Sequence, residues 1–426
     1  MMKKVPVSLL FLFLGLIIIF PLLSAKKIGA FTEKQSTIAF LKKERIKQDR
    51  AEFLQQRLKN EIQRYFYKAI ANKSIVGAAV SIVQCDSVLL KEGYGRRKIT
   101  EPKKIDHATV FRLGSLSKGF AGILAGIEVE KGNLNWNSKV VDFIPNFKVK
   151  GTQRTQKINL THVLSQSTGL PYHSFTNLVE DGVAMQKVAK EFDKLNFVAE
   201  PGKIYSYQNA MYAMSGLMIE ASEQKPLAQV LQEKIFGPLQ MTTASATYKD
   251  LMKEENIAYP HRKRYGRFKT RKINNKYYNA VAAGGINASA NDMANWMRFL
   301  LGSNQEVLSS QGIQEVFQPQ VKIPGKHKYY QKWKGHQSSA YAFGWRIHNF
   351  KDRKTNKVSK VIHHGGTVSS YRTEIALFPE EDLGISVLFN CTTRLARTVI
   401  PDLKKIVRNV LSTPIPEMDT NTPAIL

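Results

Sequence analysis

Cysteine is nearly absent: the 426-residue chain has two, Cys85 and Cys391. Two thiols cannot build a disulfide framework, and neither sits at metal-ligand spacing. Histidine is also sparse, at nine residues. No HExxH or CxxC pattern occurs, so neither a metal nor another cofactor is expected. Acidic residues are the next shortage, with 34 Asp and Glu against 63 Lys and Arg, a formal charge of +29. Such an excess favours contact with polyanions: nucleic acid, anionic lipid or acidic envelope polymer. Internal repeats and low-complexity tracts are missing, which excludes a solenoid. What remains is an ordinary globular balance, 43% hydrophobic and 23% charged. The length allows one large domain or two smaller ones.

Charge is missing altogether from residues 5–25, "VPVSLLFLFLGLIIIFPLLSA", which follow "MMKK". About twenty apolar residues suffice to cross a bilayer. Cleavage after Ala25 would put Leu23 at −3, a poor signal-peptidase site, so a retained anchor is preferred over a cleaved signal peptide. Lys26, Lys27, Lys34, Lys42, Lys43 and Arg45 follow the run, and by the positive-inside rule they oppose export. The short basic start favours export, so an exported, membrane-anchored protein on the periplasmic or extracellular face is expected.

Residues 26–50 are polar and basic and read as a stalk. From Ala51 to Ala71 the positions Phe53, Leu54, Leu58, Ile62, Tyr65, Phe66 and Ile70 recur at helical spacing. "GAAVSIVQCDSVLLKEGYG" reads as two strands with a turn near Asp86. Phe120, Ile123, Leu124 and Ile127 predict a buried helix that stops at Lys131-Gly132. The central third is helical and loop-rich. "KVIHHGG", "RTEIALFP" and "LGISVLFN" return to strands, with the helical "TVIPDLKKIVRNVL" behind them. Strands at both ends with helices between predict one mixed α/β domain whose sheet draws on both termini.

Within "FRLGSLSKGF", Ser115 and Lys118 are three residues apart at the start of the buried helix, so they share a face. A serine hydroxyl needs a neighbouring base, and a lysine serves if burial depresses its pKa. Backbone N–H groups at a helix start also suit a developing oxyanion. The spacing alone is weak, because Ser24/Lys27 and Ser222/Lys225 repeat it. The later blocks "LTHVLSQSTGLP", "PGKIYSYQNAMYAMSGLMIE", "AGGINASANDMANWMRFLLG", "YAFGWRI" and "IHHGGTVSSYRTEIALFPEEDLGISVLFN" supply the context. Together they resemble the serine β-lactamase and penicillin-binding protein superfamily, in its class C β-lactamase, D-alanyl-D-alanine carboxypeptidase and esterase branch.

The resemblance covers about residues 50–412 and implies three motifs: Ser115–Lys118, Tyr207-Gln208-Asn209, and His363-His364-Gly365 on a strand. Tyr277-Tyr278-Asn279 is a rival second motif and lacks the "PG…Y" lead-in. His364-Gly365-Gly366 is a rival third motif; His363 is preferred because Gly365 and Gly366 then fall where strand backbone approaches the substrate. The resemblance implies Ser115 as nucleophile, with Lys118 and Tyr207 sharing the proton handling. It implies Asn209, His363, His364, Gly365 and Gly366 at the substrate, and the backbone of Ser115 and Gly366 as oxyanion hole. It also implies an α/β fold with an antiparallel five-stranded sheet flanked by helices and an inserted all-helical subdomain. The two cysteines would lie at opposite ends of neighbouring strands, unbridged.

His364 in place of a small hydroxyl residue, and Gln208 within the second motif, depart from the pattern and weigh against efficient β-lactam hydrolysis. The expected activity is a serine hydrolase on D-Ala-type peptides or esters of the cell envelope, with β-lactamase as the alternative. An inactive scaffold binding anionic envelope polymer is the alternative of a different class. "HRKRYGRFKTRK" (261–272) reads as a solvated insertion, with anionic polymer contact second and nucleic acid not expected. Asp292 is expected to cap a helix, Trp296 and Trp345 to lie in the core, and His162 to be structural. The expected domains are 1–25 (anchor or signal), 26–50 (stalk), 51–412 (catalytic) and 413–426 (tail).

Overall fold

The computed structural model describes residues 8–352 and 355–414, with side chains from residue 40 onward. Residues 1–7 of the expected anchor and 415–426 of the expected tail lie outside the described residues. Among the residues whose side chains are described, no helix is long and apolar enough to cross a membrane. Residues 59–408 form one compact unit; residues up to 58 and from 409 onward belong to a second.

Helix α1 (Ser8–Ala71) is longer than its apolar pattern, which marks only 51–71, and includes the whole stretch read as a stalk. Within the larger unit its Ile62 and Phe66 are fully buried, one turn apart. The backbone then enters β1 (Gly77–Gln84) and, after the two-residue turn at Cys85-Asp86, β2 (Ser87–Gly95). β3 (Phe111–Arg112) pairs with β6 (Asn287–Ala288), and β4 (His261–Arg264) forms a hairpin with β5 (Arg267–Thr270). β7 (Val321–Lys322), β8 (His336–Tyr341), β9 (Arg346–Lys351), β10 (Val358–Val368), β11 (Tyr371–Phe378) and β12 (Leu383–Phe389) follow.

These strands build an antiparallel sheet in the order β2-β1-β12-β11-β10-β9-β8-β7. It has eight strands where five were expected. β7, β8 and β9 extend it past the β10 edge. The β4–β5 hairpin likewise lies between the first and last motifs, so the intervening segment is not all-helical. β1 and β12 are continuous apolar runs because both faces of the sheet centre are covered. Their register, Ala78 opposite Phe389 and Gln84 opposite Leu383, puts Cys85 and Cys391 at opposite ends, and both are free.

One core joins the inner face of the sheet to α2 (Ser117–Glu130) and α3 (Asn209–Glu223). α2 runs through the middle of it. A Cβ on Gly122 would lie 2.1 Å from the Phe343 carbonyl oxygen, so glycine lets α2 approach the 341–347 segment. Trp296 and Trp345 are 1% exposed and sit in the core. Asp292 closes a capping box with Ser289 at the start of α4 (Ala290–Leu300), and His162 closes another with Asn159.

Candidate active site

Every residue from Phe111 to Glu128 is buried except Ser115, which is half-buried. Ser115 sits in the single 3-10 turn Gly114–Leu116 that leads into α2. Gly114 takes φ +56, in the left-handed region, and a Cβ there would come within 3.0 Å of the Thr367 backbone. The turn therefore presses the backbone just before Ser115 against β10.

Two side chains from separate elements meet at the Ser115 hydroxyl. Tyr207, just before α3, places its Oη 2.9 Å from Ser115 Oγ. Lys118, the second residue of α2, places its Nζ 3.4 Å away. The same amine donates to Asn209 Oδ1 at 2.8 Å and to the Ala283 carbonyl at 2.7 Å. Asn209 in turn donates to Tyr277 Oη at 3.2 Å.

Lys118 is fully buried, and that burial, reinforced by the Arg346 charge, holds its pKa well below the ordinary lysine value. A neutral amine has two N–H groups and one lone pair. As a neutral amine, Lys118 would spend the two hydrogens on Asn209 and Ala283 and leave its lone pair facing Ser115 Oγ. Tyr207 shifts the other way: burial raises its pKa, so it stays a phenol. Base and acid are thus separated by environment.

Successive side chains of a strand point to opposite sides, so His363 and His364 cannot both face Tyr207. His364 does. Its ring lies 6.5 Å from that of Tyr207, and its Nε2 meets Tyr341 Oη at 3.0 Å. His363 points away, correcting the expectation that it opens the third motif at the substrate. Its Nε2 bonds the buried Glu374 at 2.8 Å and its Nδ1 meets His348 Nε2 at 3.2 Å. His348 Nδ1 continues to Ser339 Oγ at 2.8 Å, and Ser339 to His336 Nε2 at 2.7 Å. Burial lowers the pKa of both His363 and His364. The motif register therefore moves by one, to His364-Gly365-Gly366. The residue after it becomes Thr367, the one packed on Gly114, rather than Gly366.

Both glycines are required by contacts. A Cβ on Gly365 would meet Tyr329 Oη at 2.6 Å, and one on Gly366 would meet the Leu113 carbonyl at 2.2 Å. β9 begins at Arg346, opposite His363, so β10 from His364 onward has no strand neighbour on that side. Its backbone is open there to a ligand.

Two site residues were not read from the sequence as such. Tyr277, weighed only as a rival motif, touches Asn209 directly. Arg346, in "YAFGWRI", lies against the rings of Tyr330 (5.1 Å), Tyr341 (5.9 Å) and Tyr207 (6.0 Å). Its Nε is buried without a hydrogen-bond partner, and among the described residues no carboxylate pairs with it. The "AGG" block supplies the Ala283 carbonyl.

Among known proteins, the beta-lactamase family matches over residues 54–405. Protein flp of Staphylococcus aureus strain N315 is 24% identical over 371 residues, covering 83% of this chain and 68% of its own length. Unguisins hydrolase ungD of Aspergillus violaceofuscus is 24% identical, covering 79% and 62%. The chain thus spans roughly two thirds of the length of these relatives. Two solved structures share the fold at TM-score 0.69. One is the octameric penicillin-binding protein homologue from Pyrococcus abyssi (21% identity, 81% of this chain and 77% of that one). The other is EstCE1, a hydrolase with promiscuous acyltransferase activity (19% identity, 85% and 100%).

Proposed function

The chain belongs to the beta-lactamase family and is a serine hydrolase, and we propose that it cleaves D-Ala-type peptides or esters of the cell envelope whose leaving side carries a carboxylate. The observation behind this reading is Arg346, a guanidinium held over Tyr207 with no acid of its own. Arginine is charged at any working pH, and this half-buried guanidinium, with no acid beside it, keeps donors free for a ligand carboxylate.

The chemistry follows from the geometry. Neutral Lys118 takes the proton as Ser115 Oγ attacks the carbonyl carbon. The developing oxyanion sits between the backbone N–H groups of Ser115 and Thr367. Tyr207 then donates its phenolic proton to the departing nitrogen or oxygen and regains one through Lys118. The acyl-enzyme is hydrolysed by the same steps, with water in place of the leaving group. Because the leaving group must face Tyr207, its carboxylate falls beside Arg346. β-Lactams carry a similarly placed carboxylate and would be bound by the same cation.

Intact-mass measurement after incubation with a penicillin, a D-Ala-D-Ala peptide and a short-chain ester should show one acyl adduct, lost in Ser115→Ala. Arg346→Gln should lower kcat/KM for the D-Ala peptide by about 10- to 10²-fold, the worth of a charged hydrogen bond, and spare a neutral ester. Equal effects on both substrates would remove Arg346 from carboxylate recognition.

A further inference from the structure

We propose that the cleft on the far side of Ser115 from Arg346 binds a multiply charged anion, compactly a phosphate or phosphonate, carried at the far end of the acyl group. This rests on the reading above that Ser115 forms an acyl-enzyme. A cleft of ≈ 730 Å³ opens there, bordered by Tyr277 and Thr367. Tyr277 touches Asn209, and the Thr367 backbone packs on Gly114, so the cleft begins one contact away from Lys118 and from Ser115.

The direction of the substrate follows from proton delivery. The leaving group must face Tyr207, and the oxyanion must lie between Ser115 and Thr367. The acyl chain is then left to run along β10, past Thr367 toward the turn at Ser369-Ser370. At that end the wall is cationic. Arg262, Arg271, Lys272 and Lys276 line it against a single acid, Glu180. Only Lys276 is paired, to Glu180 at 2.9 Å; among the described residues no acid meets Arg262, Arg271 or Lys272.

The four cations less the one carboxylate leave a local excess of three, too many for one substrate carboxylate. The Ser370 hydroxyl adds a donor of the kind that shares a tetrahedral anion with guanidinium groups. The loop bearing Lys276 is held from beneath. Arg112 donates to the Asn274 carbonyl at 2.9 Å and also to that of Lys276, and Ser369 Oγ donates to Asn274 Oδ1 at 2.8 Å.

Arg262 is the one of these cations that lies within the β4–β5 hairpin. The register puts it opposite Lys269, and like charges directly opposed weaken a strand pair. An anionic ligand relieves that repulsion.

The test separates binding from chemistry. Calorimetry with a length series of ω-phosphonoalkanoates, as free acids, should show binding at moderate salt. It should weaken by about ten-fold or more in the Arg262→Gln/Arg271→Gln double variant. The double variant should hydrolyse neutral p-nitrophenyl butanoate at the wild-type rate and lose a wild-type preference for p-nitrophenyl ω-phosphonoalkanoates. No binding by the wild type, equal binding by both proteins, or a preference that survives the double substitution would overturn the assignment. If the wild type leaves the neutral ester intact, the acyl-enzyme reading fails, while calorimetry still decides the anion site.

Discussion

Lys118 shows how burial biases a single residue toward its neutral form. Its two acceptors at 2.7–2.8 Å match the two hydrogens of a neutral amine, and burial opposes the third proton. The group's folded pKa lies below its unfolded value. Its proton is therefore absent in the folded protein over a range where the unfolded chain, with a lysine pKa of about 10.4, still binds one. Folding loses stability from this group as pH falls through that window, a cost set against catalysis. On a neutral ester, kcat/KM should rise with pH along a limb well below the ordinary lysine range. It should then hold level, because the Tyr207 phenol is raised. An acid limb near pH 10 would mean a charged, structural lysine. Lys118→Arg, which cannot deprotonate, should lose at least ~10²-fold. Ser115, Lys118, Tyr207 and Asn209 were legible because their motifs fix spacing along the chain. Arg346 was not, since nothing in "YAFGWRI" tells an unpaired guanidinium from a solvated one. In "HHGG" the side chain that faces the site depends on strand pleat, which adjacent identical residues leave undetermined.

Among the elements, legibility followed apolar patterning. β1, β12 and α2 are buried on all sides and read directly. β8, "HQSSAY", and β9, "RIHNFK", did not, because their buried polar side chains satisfy one another: Ser339 bonds His348 across the pair. Residues 26–50 of α1 lack the amphipathic stripe on which a helix is recognised, and their helical backbone was not legible for that reason. β10 carries a sharp steric demand beside the site. An alanine at Gly366 would set its Cβ 2.2 Å from the Leu113 carbonyl and 2.3 Å from Thr373 Oγ1. Backbone cannot swing aside as a side chain does, so β10 must move off the Ser115 turn. Gly366→Ala should cut kcat/KM by about 10²-fold, the cost of a displacement near 1 Å at reacting groups. A near-wild-type rate would show that Thr367 is not the oxyanion donor.

For the whole molecule, composition restricted function more than fold did. The charge of +29 pointed to an anionic partner, and part of it gathers beside the Thr367 end of the site. All site residues fall within 59–408, while the apolar run 5–25 precedes that unit. We propose that this run holds the protein at a membrane with the hydrolase outside. Removing residues 1–39 should shift the protein from the membrane to the soluble fraction of its host with ester hydrolysis unchanged. A truncated protein that stays with the membrane would place the anchor elsewhere.

The chain of side chains behind His363 has a direction. Glu374, ion-paired to Arg372 at 2.5 Å, only accepts. His363 must then carry its hydrogen on Nε2 and accept on Nδ1, so His348 carries its own on Nε2. Ser339 points its single hydrogen at His348, and His336 points one at Ser339. One orientation at Glu374 dictates every tautomer out to the half-buried His336. No member can turn over alone without setting two hydrogens, or two lone pairs, against each other. The row behaves as a single polarised unit, like magnets on a line, and it runs behind the face of β10 that His364 turns toward Tyr207.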